Sequence, residues 1–232
     1  NGVTLHKGEV YGDSSQETMQ RVQIRETIAS HFEKEKELFS KGIKTLSLFF
    51  LDEVANYKSY NEAGEEVKGK FWNIFEEEYT NYLNENISLF DDSYQQYLRR
   101  FDVSQVHRGY FSIDKKTGHS IDSETKRGSD MSDDISAYDL ILKNKERLLS
   151  FEEPCRFIFS HSALREGWDN PNVFQICTLR HANSAVAKRQ EVGRGLRICV
   201  NQQGNRMDYQ ELGEDIQEVN KLTVIANESY TD

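Results

Sequence analysis

Two short stretches hold the side chains best suited to nucleotide chemistry. Phe159-Ser-His-Ser-Ala-Leu-Arg-Glu-Gly-Trp-Asp-Asn-Pro171 is followed, about 20 residues on, by Gln190-Glu-Val-Gly-Arg-Gly-Leu-Arg197. In the first, Asp169 can accept hydrogen bonds from ribose hydroxyls, and Gly167 allows the backbone to approach a ligand closely. Ser160 and Ser162 can donate to a phosphate backbone, with Arg165 beside them. In the second, Arg194 and Arg197 each carry a planar fork that is always charged and matches phosphate oxygens. Spaced three apart, they share one face of a helix and can converge on one phosphate group. Gly193 and Gly195 remove side chains that would obstruct that approach.

A third stretch has the right spacing and the wrong chemistry. Gly64-Glu-Glu-Val-Lys-Gly-Lys70 follows the Gly-x4-Gly-Lys pattern of a phosphate-binding loop. Phe71 stands where the hydroxyl that holds magnesium is needed, no apolar strand leads in, and Glu65 and Glu66 would repel a triphosphate. It reads as a charged turn. No acidic strand of the kind that binds magnesium and activates water is visible elsewhere. The isolated chain is therefore expected not to hydrolyse ATP.

The elements that must position these residues alternate between strand and helix. Thr45–Leu51, Arg156–Ser160, Val173–Leu179 and Lys221–Ala226 are apolar runs suited to strands covered on both faces. Val103–Phe111 reads as a short strand ending at Gly109. A helix over 16–40, with Val22, Ile28, Phe32 and Phe39 near helical spacing, stops at Gly42. Two further helices fall within 70–100, another over 137–149, and one starts after Asn183 or Ser184. This alternation predicts a parallel α/β sheet with helices on both faces, whose ligands lie beyond the carboxyl ends of the strands. Residues 1–15 read as a turn-rich lead-in from a preceding domain, and 16–232 as one domain. Residues 112–135 are polar and poor in large apolar side chains, and read as an exposed insertion.

Charge is uneven along the 232 residues. Pro154–Arg206 carries eight Arg and Lys against three acids, a local +5 in a chain of net −10, which leaves −15 for the rest. Such a segment fits a protein that meets phosphates at one surface only. Cys155, Cys177 and Cys199 are too widely spaced for a clustered metal site and read as reduced, buried thiols of a cytoplasmic protein. No apolar run approaches the ~18 residues of a membrane span. With Asn1 in place of an initiator methionine, the chain reads as a fragment of something longer.

The two motifs resemble motifs V and VI of superfamily 2 helicases and translocases. Their wording here is most similar to the restriction (Res) subunit of type III restriction-modification enzymes. Gln23-Ile-Arg-Glu-Thr-Ile28, Leu46–Leu51, Gly109–Lys115 and Lys145–Phe151 agree with that family, so the resemblance spans about residues 20–210. Glu191 departs from the family pattern, which often has Arg or another residue there. The resemblance implies the second RecA-like domain, the helicase C-terminal motor domain, with Arg194 and Arg197 as arginine fingers. Gln190, Gly193, Gly167 and Asp169 would lie at the nucleotide, and Ser160, Ser162 and Arg165 at double-stranded DNA. It further implies ATP and Mg2+, with the magnesium ligands on a first RecA-like domain outside this chain. A nuclease domain and a modification (methyltransferase) subunit partner follow from the same resemblance. Two other readings remain open at this point: a superfamily 2 repair or remodelling motor, and a nucleic-acid-binding module without turnover.

Overall fold

The computed structural model describes residues 16–114, 117–122, 145–161, 170–179, 193 and 197–226. At its centre is a five-stranded sheet of β1 (Leu46–Phe50), β4 (His107–Tyr110), β7 (Phe157–Ser160), β8 (Val173–Thr178) and β9 (Thr223–Ala226). Its order is β4-β7-β1-β8-β9, and every pairing is parallel. This is the α/β fold expected of alternating strands and helices. The expected strand at 103–111 is narrower, because Val103–Gln105 forms a turn of 3-10 helix before β4 begins.

The three central strands are buried along their whole length, as their apolar runs require. Alternation along β1 sends Phe49 to one face and Leu48 and Phe50 to the other. The first face is covered by α1 (Gln16–Phe39), α2 (Lys70–Asn86) and α3 (Asp92–Leu98). Ile24, Ile28, Phe32, Phe71, Phe75, Tyr79, Tyr94 and Tyr97 form its core with Phe157 and Phe159. Phe49 and Phe159 stack at 4.5 Å between ring centres, and truncating either to Ala would cost about 3–5 kcal/mol. The second face buries Leu148, from α4 (Lys145–Leu149), against Ile158 and Ile176.

The inner face of α1 differs from the sequence expectation. Val22 is 43% exposed, while Gln23, Thr27, His31 and Glu35 turn inward at i+4 spacing beside Ile24, Ile28 and Phe32. Each of these polar groups has its own partner. Gln23 Nε2 donates to the Thr178 carbonyl and Thr27 Oγ1 to the Gln23 carbonyl. His31 Nδ1 pairs with Ser47 Oγ, and Glu35 takes a hydrogen bond from Arg156. The helix ends where Gly42 adopts a φ of 67°, a conformation that costs glycine little.

The false phosphate loop is a β-hairpin. β2 (Lys58–Tyr60) pairs with β3 (Glu66–Lys68), and Gly69 caps the start of α2. The Gly64 and Gly69 amides donate to the Asn61 and Tyr57 carbonyls, so neither faces outward to cradle a phosphate.

The polar stretch after β4 opens as a second hairpin, β5 (Ser112–Ile113) with β6 (Ser120–Ile121). It docks on the first: the His119 and Tyr60 rings stack at 3.8 Å, and the Ser120 amide donates to Tyr60 Oη at 3.1 Å. Asp122 Oδ1 then accepts the Val54 amide at 2.6 Å. Within the polar stretch, Thr117, Gly118, Ile121 and Asp122 are exposed, and Ser120 is buried against the first hairpin. Residues 115, 116 and 123–144 lie outside the described residues.

Candidate functional site

β7 delivers the chain to the carboxyl edge of the sheet at Ser160 and His161. Ser160 is the last strand residue, 2% exposed, and its carbonyl accepts the Leu51 amide at 2.8 Å. It is buried where the strand ends, at the root of the loop that carries the rest of the motif. His161 Nε2 lies 3.7 Å from Asp122 Oδ1, a contact that joins the strand exit to the docked hairpin. Ser162, Arg165, Gly167 and Asp169 lie outside the described residues.

The connection returns at the amino edge, where Asn170 and Asn172 are fully buried. Asn172 is the best-connected polar side chain there. Its Nδ2 donates to the Lys44 carbonyl at 3.0 Å and the Val200 carbonyl at 2.9 Å, and its Oδ1 accepts the Val200 amide at 2.8 Å. The Leu46 amide donates to its main-chain carbonyl at 2.9 Å. One asparagine thus ties the start of β8 to the chain just beyond the second motif.

β8 leaves the sheet at Thr178 and Leu179 toward that second motif. Two buried amides hold this exit: Gln20 Nε2 donates to the Leu179 carbonyl at 3.0 Å and Gln23 Nε2 to the Thr178 carbonyl at 3.1 Å. Gln190 and Arg194 lie outside the described residues, whereas Gly193 and Arg197 are within them. Arg197 is exposed, and its Nη1 donates to the Gly193 carbonyl at 3.0 Å. Among the described residues, a Cβ at Gly193 would meet nothing within 4 Å. Beyond Arg197 the chain is pinned twice. The Cys199 amide donates to Asn220 Oδ1 at 2.8 Å, and Val200 is held by Asn172.

The basic segment loses one member to the core. Arg156 is fully buried; it donates to Glu35 Oε2 at 2.5 Å and to the Tyr79 hydroxyl. Burial by itself would raise the Glu35 carboxyl, but the guanidinium, with His31 and Tyr94, holds it at about 2. Lys44 is buried too and caps the Ser150 and Glu153 carbonyls, and burial pushes its ammonium down to about 8. No pattern in the sequence assigned these residues, although a charged side chain at the head of an apolar strand was a signal. All three cysteines are buried and free, in keeping with the thiol reading.

Among the described residues no group of three or more His, Cys, Asp or Glu side chains converges to hold a metal ion. Among them also, no helix is long and apolar enough to cross a membrane. A cleft of about 500 Å³ opens beside the pinned segment, between α4 and the turn at Val200–Gly204.

No protein-family profile matches the chain. Curated relatives do. It is 41% identical over 208 residues to the type III restriction-modification enzyme EcoPI Res subunit of Escherichia phage P1, covering 87% of this chain and 20% of that protein. It is 40% identical over 208 residues to the EcoP15I Res subunit of Escherichia coli, with the same shares covered. The StyLTI Res subunit of Salmonella typhimurium is 36% identical over 242 residues, covering 90% of this chain and 22% of that protein. The chain spans about a fifth of the length of these relatives.

Proposed function

We propose, from the premise that this chain is a Res-like segment, that it serves as the second motor domain of an ATP-dependent DNA translocase of the type III restriction kind. The observation that supports this best is that the residues just past the two motifs, Asn172 and Val200, are hydrogen-bonded to each other at the edge of one parallel sheet. A two-domain motor needs its second half to offer nucleotide-facing groups in fixed relation to each other.

In this reading ATP and Mg2+ sit between this domain and a first RecA-like domain, whose residues hold the metal. Arg197, with Arg194, reaches the transferred phosphoryl group and stabilises the charge that spreads over its oxygens. Gln190, Gly193, Gly167 and Asp169 line the nucleotide side. Ser160, Ser162 and Arg165 follow the strand exit toward double-stranded DNA. A nuclease domain on the same longer protein and a modification subunit that selects the site complete the proposed cytoplasmic enzyme.

The test is steady-state ATP turnover by the full-length enzyme on DNA. Arg194→Ala or Arg197→Ala should lower the rate by about 10³–10⁵, the usual worth of an arginine finger, and leave nucleotide affinity little changed. Near-normal turnover in both variants would remove the assignment.

A further inference from the structure

We infer that Asn172 is the positioning residue for Arg197, an inference that rests on the motor reading above. Arg197 is exposed, and its Nη1 donates to the Gly193 carbonyl at 3.0 Å. Three residues further on, the backbone is tied to the sheet. Val200 gives both its amide and its carbonyl to the Asn172 side chain, at 2.8 and 2.9 Å. Asn172 is in turn fixed by the Lys44 carbonyl on the way into β1 and by the Leu46 amide at the head of that strand. The bonds therefore run from the central strand through one buried amide to the backbone three residues past Arg197.

An asparagine suits this task because its amide donates and accepts in one plane, as a main-chain partner would. Aspartate would lose both donors, and leucine would leave three buried backbone groups without partners. Asn220 repeats the device at Cys199, where Oδ1 accepts the amide while Nδ2 donates to the Met207 and Ile216 carbonyls. Two consecutive residues are thus each held by an asparagine. A finger must be placed closely, since a misplacement of about 1 Å can cost about a hundredfold in rate. Holding the backbone beside it limits that error without occupying the phosphate site.

The experiment compares Asn172→Ala with Ile158→Ala in the full-length enzyme. Ile158 is a core residue of β7 on the face away from α1, so its truncation destabilises without touching the Asn172 contacts. Both variants are assayed where melting curves show them folded. Asn172→Ala should lower kcat for DNA-stimulated ATP turnover by about ten- to a hundredfold relative to Ile158→Ala, with KM for ATP within about twofold of the parent. Its Val200 amide should also exchange with solvent deuterium about tenfold faster or more. If Asn172→Ala does not fold, Asn172→Ser keeps a donor and an acceptor and carries the same comparison. A kcat equal to that of Ile158→Ala overturns the inference. The Arg197→Ala variant separates the two proposals: if it abolishes turnover while Asn172→Ala does not, only the positioning role falls. If Arg194→Ala and Arg197→Ala both leave turnover intact, the finger assignment falls and the positioning role with it.

Discussion

Arg156 Nη1, at the head of β7, donates to Glu35 Oε2 on α1 at 2.5 Å, and both side chains are fully buried. The pair lies among Phe32, Tyr79 and Tyr97, whose rings face the guanidinium at 5.6–5.7 Å. It anchors one end of a polar ridge whose other end is Gln23 on the Thr178 carbonyl. α1 is thus registered along the sheet by directional bonds, where apolar contact alone would allow it to slide.

Removing one partner leaves the other charged and buried. Arg156→Met should therefore destabilise the chain by about 3–5 kcal/mol in urea unfolding, and Glu35→Leu combined with Arg156→Met should recover much of that. The pair also sets an acid limb. The Glu35 carboxyl, held at about 2 in the folded chain, binds its proton near 4.5 when unfolded. Its contribution is complete above pH ~4.5 and is lost as pH falls through about 2, roughly 3 kcal/mol in all. Glu35→Gln should flatten the fall in stability over that window; an unchanged acid limb would contradict the assignment.

The thiols set an alkaline limb. Burial pushes Cys177 and Cys199 up to about 12 and Cys155 up to about 11, from an ordinary value of 9. The folded chain therefore keeps protons that the unfolded chain has lost, so this contribution is complete below pH 9 and fades toward pH 11–12. Lys44, lowered to about 8, works in the opposite sense between pH 8 and 10.5. The three thiols, joined above pH 10 by the Tyr57, Tyr79, Tyr94 and Tyr97 hydroxyls that burial also raises, outweigh Lys44 and should make stability fall above pH 9. Cys177→Ala should make that fall shallower by up to one proton, as read from midpoints of urea unfolding between pH 9 and 11.

The polar stretch should divide at Asp122. Replacing 123–135 with a short Gly/Ser linker should leave the melting temperature within a few degrees of the parent. Replacing 112–135 removes the Asp122–Val54 bond and the His119–Tyr60 stack as well. These contacts, worth about 2–3 kcal/mol, should lower the melting temperature by roughly 5–10 °C. Equal melting of the two shortened chains would show that the hairpin is dispensable to the fold.

Local pattern was enough for the strands of the sheet and for the helix stop at Gly42. Leu46–Phe50 and Val173–Thr178 are apolar at nearly every position, and that alone calls for burial on both faces. The order and separation of the two motifs pointed to nucleotide chemistry, since Arg, Gly and Asp at those spacings have few other joint uses. The Res likeness was legible for the same reason. The inner face of α1 was not legible. Val22 looked like core because it is apolar, yet it is 43% exposed, while the charged Glu35 is fully buried.

The difference is one of range. Periodicity and turn chemistry are properties of neighbours along the chain, and so they can be read from the sequence. Glu35 is buried because Arg156 stands opposite it 121 residues later, and Asn172 meets Val200 across 28 residues. Those meetings depend on the order and register of the strands, which bring separate segments to one edge. A charge or an amide is costly inside until a partner arrives, and only the assembled sheet supplies the partner.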